Sequence, residues 1–270
     1  MDLNLKGKVA LVTGAARGQG RATAIALAQE GVHICAFDLG EKIEEPGYAL
    51  GSRHEMDNLT AAINGLGNSA RCLPTYGDVR RLKDCQDAAN ACVEKFGRID
   101  ILFNNAGICG YAGAEKMTED QWDLMIDINL KGAWLMARAV IPFMQKQRSG
   151  VIINNSSVGG LRGMNRLSHY AASKWGMTGL TKSWAIELAP FGIRCLSIHP
   201  TGVDTPMNDG LAAAEGLTPR EVAERSAGNL LPVPWIEASD VAAMVCMLVS
   251  EKSRYVTGAQ VVIDAGLLTR

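Results

Sequence analysis

The 270-residue sequence has few aromatic residues, at 6%, and little surplus of either charge, with 27 lysines and arginines against 28 aspartates and glutamates. A near-neutral chain lacks the basic field that binding to a phosphate backbone requires, so nucleic acid is not an expected partner. Long apolar runs are also missing near the start, where residues 1–9 carry three charged side chains and no signal peptide or spanning helix. We therefore expect a cytoplasmic protein without membrane contact.

Paired cysteines and clustered metal ligands are absent from the sequence pattern as well. The seven cysteines are an odd number, none forms a Cys-x-x-Cys pair, and no histidine and cysteine group has metal-site spacing. We expect reduced thiols and no metal. Cys35 and Cys195 lie in apolar runs and are predicted core residues, whereas Cys109 follows a predicted strand end and is a candidate to contact a substrate.

Short apolar, β-branched runs alternate with segments of helical spacing along the chain. The predicted strands are Lys8–Thr13, Val32–Phe37, Ala70–Tyr76, Ile101–Asn104, Val151–Asn155, Arg194–His199 and Gln260–Ile263. The predicted helices are Arg21–Glu30, Asp57–Leu66, Leu82–Phe96, Thr118–Asn129, Ala133–Gln147 and Tyr170–Ala189. Strands that are apolar on both faces indicate a parallel sheet covered by helices on both sides. The sequence therefore predicts an α/β fold of Rossmann type, with a doubly wound, mostly seven-stranded parallel sheet in a single domain over 1–270.

Two segments interrupt this alternation. Residues 40–53 form a polar stretch with glycine and proline between the second predicted strand and its helix, where connections usually span a few residues. Residues 206–235 form a longer excursion that includes Met207 and ends in a proline-rich run. Long excursions in compact domains are more often functional than idle, so the second is predicted to cover a substrate.

Three glycines, Gly14, Gly18 and Gly20, separate the first predicted strand from the first predicted helix. Glycines let the backbone approach a pyrophosphate closely, and the N–H groups at a helix start favour its negative charge. The second strand is followed by Asp38, where a carboxylate accepts hydrogen bonds from ribose hydroxyls and repels a 2′-phosphate. This order predicts NAD rather than NADP.

Two residues of this turn region have alternative interpretations. Asp38 is also suited to cap a turn without touching a cofactor. Arg17 favours the opposite cofactor, because its guanidinium could reach a 2′-phosphate. With Asp38 in place, Arg17 is predicted to bind the pyrophosphate or to lie at the surface.

A serine, a tyrosine and a lysine follow the fifth predicted strand in a suggestive order. Ser157 comes soon after the strand, and Tyr170 and Lys174 are four residues apart, which places them on one face of a helix. A phenol has a pKa near 10 and is a poor base at neutral pH, so a neighbouring ammonium that favours phenolate suits a catalytic tyrosine. Tyr170 is therefore predicted to transfer the proton, with Ser157 holding the substrate oxygen, while His169 is predicted to pack at the helix start or line the cleft entrance.

With these residues assembled, the chain resembles the classical short-chain dehydrogenase/reductase family from Lys8 to Leu267. The matching motifs are Thr13–Gly20 with TGxxxGxG, Asp78–Val79 with the adenine-contacting pair, Asn104–Gly107 with the NNAG strand end, Asn129 with the helix asparagine, and Ser157, Tyr170 and Lys174 with the serine and YxxxK. One departure is Gln19, where most relatives have isoleucine. The glycine turn and the inserted stretch are most similar to the carveol dehydrogenase branch, which includes mycofactocin-associated enzymes.

The resemblance implies a site. The implied catalytic residues are Ser157, Tyr170, Lys174 and Asn129, the last keeping a water-linked proton path from Lys174 to solvent. The implied NAD-binding residues are Gly14, Arg17, Gly18, Gln19, Gly20, Asp38, Leu39, Asp78, Val79, Asn105, Ala106, Gly107, Tyr170, Lys174, Pro200, Gly202, Val203 and Thr205. The segment from Pro200 to Thr205 is expected to hold the carboxamide of nicotinamide.

The resemblance also implies an activity and an assembly. We expect NAD-dependent interconversion of a secondary alcohol and its ketone, on an apolar and cyclic skeleton such as a terpenoid or steroid. The alternatives are a reductase of a sugar or acyl-thioester ketone and a non-catalytic NAD-binding regulatory protein. A sugar-nucleotide epimerase is disfavoured, because about thirty residues follow Ser239, too few for its C-terminal domain. The family habit implies a homotetramer formed through the helices of 118–147 and 170–189 and the C-terminal segment.

Overall fold

The computed structural model describes residues 2–41, 46–226 and 228–269. Residues 42–45 of the predicted insertion and residue 227 of the predicted late excursion lie outside this description, as do residues 1 and 270 of the predicted domain. The strands are β1 (Val9–Thr13), β2 (His33–Asp38), β3 (Cys72–Tyr76), β4 (Ile101–Asn104), β5 (Gly150–Asn155), β6 (Ile193–Pro200), β7 (Val203–Asp204), β8 (Ile236–Glu237) and β9 (Gln260–Ile263).

The described α-helices lie mostly between successive strands. They are α1 (Gly18–Gln29), α2 (Arg53–Asn64), α3 (Leu82–Phe96), α4 (Glu119–Ile126), α5 (Gly132–Gln147), α6 (Ser168–Leu188), α7 (Pro206–Ala214), α8 (Pro219–Ser226) and α9 (Ala238–Val249). None of these helices combines the length and the apolar character that a membrane crossing requires.

Seven strands form one parallel sheet in the order β3-β2-β1-β4-β5-β6-β9, which confirms the predicted doubly wound architecture. Successive side chains of a strand point to opposite faces. Ala10 and Val12 of β1 therefore pack with α1, α2 and α9 on one face, and Val9 and Leu11 pack with α3, α5 and α6 on the other. The sheet is buried on both faces, as its apolar strands predicted.

The chain order of the strands reverses at β1, which has β2 on one side and β4 on the other. Connections leaving the carboxyl ends of β1 and β4 therefore run to opposite faces and leave a crevice between them. The glycine turn follows β1, Asp38 ends β2, and Asn105 follows β4. The fold thus gathers the predicted cofactor residues at one edge of the sheet.

Several predicted helix boundaries were wrong, as helix α1 begins at Gly18 rather than Arg21, and two differences have a clear local reason. Helix α2 begins at Arg53 rather than Asp57, because Ser52 and Glu55 form a capping box in which each side chain accepts from the other's backbone N–H. The helices predicted at 118–129 and 133–147 are joined without a break, since a π-helical segment, Asp127–Lys131, links α4 to α5. Single π turns inside α-helices are frequent at functional sites.

Candidate active site

A cleft of about 1150 Å³ opens at the carboxyl ends of β1, β2, β4 and β5. The predicted cofactor-binding residues that line it are Gly14, Arg17, Gly18, Gln19, Asp38, Leu39, Asp78, Val79, Asn105, Ala106, Gly107, Tyr170, Lys174 and Thr205. The predicted residues outside its described lining are Gly20, Pro200, Gly202, Val203, Ser157 and Asn129. The structure therefore brings most of the predicted set together in the wall of the cleft, and Ser157 is hydrogen-bonded to Tyr170 of that wall.

The glycine turn is built by close backbone approach. Gly14 and Gly18 have φ of +64° and +53°, a region that favours glycine. A Cβ on Gly20 would overlap the carbonyl oxygen of Gly14, so Gly20 lets α1 pack on the turn and does not itself face the cleft. Within the described chain no side chain caps the start of α1, whose residues Gly18 and Gln19 line the cleft. A helix start of this kind suits a pyrophosphate.

The carboxylate of Asp38 is buried at the wall of the cleft. Its Oδ2 accepts a hydrogen bond from the N–H of Ala16 at 2.9 Å. A Cβ on Gly51 would lie 2.6 Å from its Oδ1, so the end of the inserted segment packs against this carboxylate. Burial raises the pKa of Asp38 above its usual range, which a hydrogen-bond donor such as a ribose hydroxyl would counteract.

The guanidinium of Arg17 is held by hydrogen bonds to the inserted segment and to α2. Its Nε and Nη2 donate to one carboxylate oxygen of Glu55 at 3.1 and 2.8 Å, and its Nη1 donates to the carbonyl of Ala49 at 2.6 Å. Burial would raise the pKa of Glu55, but the hydrogen bonds from Arg17 and Ser52 hold it below its usual value. Arg17 was predicted to bind the pyrophosphate or to lie at the surface, and the structure gives it a different role, because its side chain ties the inserted segment to α2.

Tyr170 and Lys174 lie together in the wall of the cleft. The Nζ of Lys174 is 5.5 Å from the centroid of the Tyr170 ring and donates to the carbonyl of Asn155 at 2.8 Å. Burial lowers the pKa of Lys174 to about 8. Burial also raises the pKa of Tyr170 well above its ordinary value, while its hydrogen bond with Ser157 acts in the opposite direction. The sequence predicted a lowered pKa for Tyr170. In the protein without its cofactor the pKa is raised instead, because desolvation of the phenol has a larger effect than the hydrogen bond with Ser157.

Ser157 begins a short 3-10 turn, Val158–Gly160, just after β5. Its Oγ accepts from the N–H of Gly159 at 3.1 Å, which fixes the hydroxyl oxygen of Ser157 near Tyr170. The side chain is nearly buried, so its position is set by this turn rather than by solvent. Ser157 can therefore present its hydroxyl to an oxygen atom that also reaches Tyr170.

Asn129 lies in the π-helical segment and is fully buried. Its Oδ1 accepts from the N–H of Ile108 at 2.8 Å, and its Nδ2 donates to the carbonyl of Ile108 at 2.9 Å. These two bonds anchor the segment after β4, where Gly107 and Ile108 line the cleft. The proton path attributed to Asn129 stays a prediction.

The residues from Pro200 to Thr205 connect the sheet to the late excursion. Val203 pairs with Ile236 in a separate two-stranded sheet formed by β7 and β8. A Cβ on Gly202 would overlap the ring of Trp235, so glycine permits this close packing. Thr205 then lies at the cleft beside Gly18. A Cβ on Gly18 would lie 3.4 Å from the methyl group of Thr205. Gly202 and Val203 thus position Thr205.

Several residues of this wall were not predicted from the sequence, and two of them make hydrogen bonds that join separate segments. Asn155, at the end of β5, donates to Gln19 at 3.0 Å and to Asn105 at 2.9 Å, which joins three cleft segments. Tyr48, in the inserted segment, has a hydroxyl that accepts from the N–H of Cys109 at 3.0 Å. The amide at the strand end was a usable signal for Asn155, whereas no local pattern marked Tyr48.

Comparisons with known proteins are consistent with this geometry. A family model described as enoyl-(acyl carrier protein) reductase matches residues 14–268. The chain is 39% identical to (-)-trans-carveol dehydrogenase of Rhodococcus erythropolis, over 97% of this chain and 98% of the relative. It is 38% identical to trans-4-hydroxycyclohexanecarboxylate dehydrogenase of Sinomonas cyclohexanicum, over 96% and 92% of the two chains.

A solved structure agrees over nearly the whole chain. The crystal structure of carveol dehydrogenase from Mycobacterium avium in complex with NAD matches with a TM-score of 0.93 at 37% identity, covering 98% of this chain and 99% of that one. The similarity therefore extends beyond the glycine turn to the late excursion and the C-terminal strand.

Proposed function

Because the chain belongs to the short-chain dehydrogenase/reductase family, we propose that it is an NAD-dependent oxidoreductase that interconverts an apolar, cyclic secondary alcohol and its ketone. Two relatives named as dehydrogenases of carveol and of trans-4-hydroxycyclohexanecarboxylate support this, as both substrates carry a secondary alcohol on a ring. The resemblance to carveol dehydrogenases is confirmed by these matches. The observation that carries the proposal is the pairing of Tyr170 with Lys174 in the cleft, with Ser157 bonded to Tyr170.

The residues of the cleft fit NAD. Gly14, Gly18 and the start of α1 would hold the pyrophosphate, since the turn leaves no side chain in the way. Asp38 would accept from the adenosine ribose, and Thr205 would hold the carboxamide. Arg17 is already neutralised by Glu55, so it offers no free charge to a 2′-phosphate. When bound, NAD supplies the hydride acceptor, and its oxidised ring adds a positive charge beside the phenol.

The proton is transferred by Tyr170. In ketone reduction the phenol donates its proton to the forming alkoxide, and the raised pKa of Tyr170 keeps it protonated for this step. In alcohol oxidation the phenolate must first form, which the ammonium of Lys174 favours. Ser157 holds the substrate oxygen by donating to it. Asn129 is proposed to support a water-linked path from Lys174 by holding the backbone of Ile108.

An apolar wall supports the choice of substrate class. Cys109, Leu167 and Leu211 form a buried cluster against which Tyr170 and Met207 pack. A hydrocarbon ring held there would place its alcohol at Tyr170 at little desolvation cost, whereas a sugar would lose hydrogen bonds to water. A relative from Thermotoga maritima that is named 3-oxoacyl-[acyl-carrier-protein] reductase, 38% identical over 98% of this chain, keeps an acyl-thioester ketone as the rival substrate. A purely regulatory role is disfavoured, because the catalytic set is complete.

The assembly is proposed from exposed apolar side chains. Trp122 on α4, Trp134 on α5 and Trp175 and Ile186 on α6 are all exposed, by 40% to 78%. Large apolar side chains at the surface of neighbouring helices mark an interface. We propose a homotetramer formed through these helices, and a cytoplasmic location stays a prediction.

Replacement of one hydroxyl tests the mechanism. Tyr170→Phe is expected to lower turnover about 10³-fold, since it removes the acid/base group, while NAD binding changes less than about twofold. Tyr255→Phe is the matched control, because Tyr255 is exposed by 89%. Initial rates with carveol, a sugar alcohol and an acyl-thioester ketone, each with NAD(H) and NADP(H), separate the substrate classes. Unchanged turnover of Tyr170→Phe would eliminate the mechanism.

A further inference from the structure

A second cavity, of about 750 Å³ including its open mouth, adjoins the cleft and has no role in the reaction described above. Tyr48 and Ile108 line both spaces, so they form the wall between them. The far side of the cavity is formed by α4, through Leu124 and Met125, and by α7, through Leu211. The cavity therefore lies between the inserted segment, helix α4 and helix α7 of the late excursion.

An apolar cluster connects the two spaces. Tyr170 and Met207 belong to the wall of the cleft, and Tyr111 and Leu211 belong to the wall of the second cavity. All four pack in one cluster, together with Cys109, Leu167 and Met164. A hydrocarbon skeleton with its alcohol at Tyr170 would thus extend along this cluster towards the second cavity.

His169 gives the second cavity an unused polar group. The side chain is only 2% exposed, and its Nδ1 has no hydrogen-bond partner among the residues that the structure describes. Leaving a buried polar atom unpaired is costly, and native proteins rarely do so without a ligand or water. His169 lines this cavity, and because its Nδ1 is itself closed to a water-sized probe, a turn of the imidazole ring is needed to bring Nδ1 to a molecule inside it.

The other polar groups of the described lining determine what kind of partner fits. Arg166 and Glu215 bind each other at 2.9 Å, so their charges offset one another. The hydroxyl of Tyr48 accepts from Cys109, which leaves the phenol its own hydrogen for a second bond. Burial lowers the pKa of His169, so its imidazole is neutral at pH 7 and can either donate or accept. Neutral donors and acceptors suit an uncharged oxygen better than a carboxylate.

We infer that the second cavity is a further compartment of the substrate site, in which His169 and Tyr48 bind an uncharged oxygen on the same skeleton whose alcohol reacts at Tyr170. The natural substrate is then a cyclic alcohol or ketone that carries a second hydroxyl or carbonyl group at the far end of the molecule. This inference rests on the proposed function, because it needs the alcohol to react at Tyr170.

The test compares pairs of alcohols that differ in one group of similar size. trans-1,4-Cyclohexanediol is paired with trans-4-methylcyclohexanol, and a decalin diol is paired with the matching methyl decalinol to allow for reach. The kcat/KM ratio of diol to methyl alcohol is measured with NAD for the wild type, His169→Phe and His33→Phe. His33 is the matched control, because its Nδ1 is also buried without a partner in the described chain but its ring stacks on Phe96, outside both cavities.

If His169 makes one hydrogen bond to the second hydroxyl, the kcat/KM of the diol should exceed that of the methyl alcohol about fivefold or more in at least one pair. This ratio is expected for the wild type and for His33→Phe. The ratio should fall to about one in His169→Phe, while oxidation of the methyl alcohol stays within about threefold of the wild type. A wild-type ratio of one in both pairs, or a ratio that survives in His169→Phe, overturns this inference and leaves the proposed function standing. Failure of the wild type to oxidise any alcohol with NAD overturns the proposed function, and this inference with it.

A second measurement covers the case in which His169→Phe does not fold. The chain has 4 histidines, so ¹⁵N-labelled imidazole signals can be assigned one by one, with His169→Gln identifying its own. The diol should shift the His169 signal at a concentration where the methyl alcohol does not. Equal shifts with both alcohols, or no shift with either, overturn the inference. A larger shift with trans-4-hydroxycyclohexanecarboxylate than with the diol would contradict the uncharged partner.

Discussion

The imidazole Nδ1 of His199 lies 2.8 Å from the backbone carbonyl oxygen of Ser157. A carbonyl only accepts, so Nδ1 carries the hydrogen and Nε2 accepts from the hydroxyl of Ser197, also at 2.8 Å. Burial lowers the pKa of His199, which keeps this neutral tautomer near pH 7. His199 therefore connects the end of β6 to the turn that presents Ser157, the serine proposed to hold the substrate oxygen.

Removing this connection should slow turnover without weakening cofactor binding. We expect His199→Leu to lower kcat about tenfold, since Ser157 loses one hydrogen bond that fixes its backbone, with KM for the alcohol changing less than about threefold. His199→Asn can still donate to the carbonyl and should recover part of kcat. His54→Leu, at an exposed position of α2, is the control. Full kcat in His199→Leu would show that the turn holds Ser157 unaided.

Cofactor preference should depend on Glu55 as well as on Asp38. Asp38→Ser removes the repelling carboxylate, but Arg17 stays bound to Glu55 at 2.8 Å and cannot turn towards a 2′-phosphate. The kcat/KM ratio of NADP to NAD is expected to rise about tenfold in Asp38→Ser and by about another tenfold in Asp38→Ser/Glu55→Gln, which frees the guanidinium.

The matched control for this pair is Asp87→Ser, which breaks an exposed ion pair with Lys83 on α3. It should leave the cofactor ratio unchanged. If Glu55→Gln adds nothing to Asp38→Ser, then Arg17 does not reach the phosphate even when free, and the preference is set by Asp38 alone.

The sheet and its switch point could be predicted from the sequence because they depend on patterns within short stretches. Apolar runs of strand length, glycines after the first and an acid after the second were enough to locate the cleft. The capping box of Ser52 and Glu55 could not be recognised from the pattern, because Ser52 lies in a polar stretch with glycine and proline that shows no helical spacing. The π turn at Asn129 escaped because its residues keep an ordinary helical pattern.

Contacts between distant parts of the chain could not be predicted in this way. Tyr48 reaches Cys109 across 61 positions from inside an irregular segment, and nothing in its neighbourhood marks it. The pKa of Tyr170 was expected to fall because Lys174 is a helical turn away. The spacing does place the two side chains together. The degree of burial of Tyr170, however, depends on the whole fold, and desolvation is the largest effect on its pKa.

The proposed tetramer can be tested at two exposed residues of α6. Trp175 and Ile186 are exposed by 50% and 78%, which is unusual for such large apolar side chains unless a partner covers them. Trp175→Glu and Ile186→Glu should each lower the mass measured by light scattering towards that of a dimer or monomer, because a charge at an apolar interface is costly to bury. Gln86→Glu, at an exposed position of α3 and outside the segments predicted to form the interface, should keep the wild-type mass. A monomeric wild type would contradict the assembly.

The buried ammonium of Lys174 should make the active site a source of instability that varies with pH. Burial lowers its pKa from the ordinary 10.5 to about 8. Below pH 8 both the folded and unfolded chains carry this proton, so the folded state bears the full cost, on the order of 3 kcal/mol. Between pH 8 and 10.5 the unfolded chain binds more protons than the folded one, and the cost declines as pH rises.

Lys174→Met should therefore abolish turnover yet raise stability at pH 7. The lost hydrogen bond to the carbonyl of Asn155 offsets about 1 to 2 kcal/mol of the gain. The remainder predicts a melting temperature a few degrees higher than that of the wild type, at about 2 to 4 °C per kcal/mol. Thermal unfolding at pH 7 and pH 9.5, without added cofactor, should show the difference shrinking at the higher pH. Lys182→Met, exposed on the same helix, should match the wild type at both pH values. A lower melting temperature for Lys174→Met at pH 7 would mean that its hydrogen bond outweighs the cost of burying its charge.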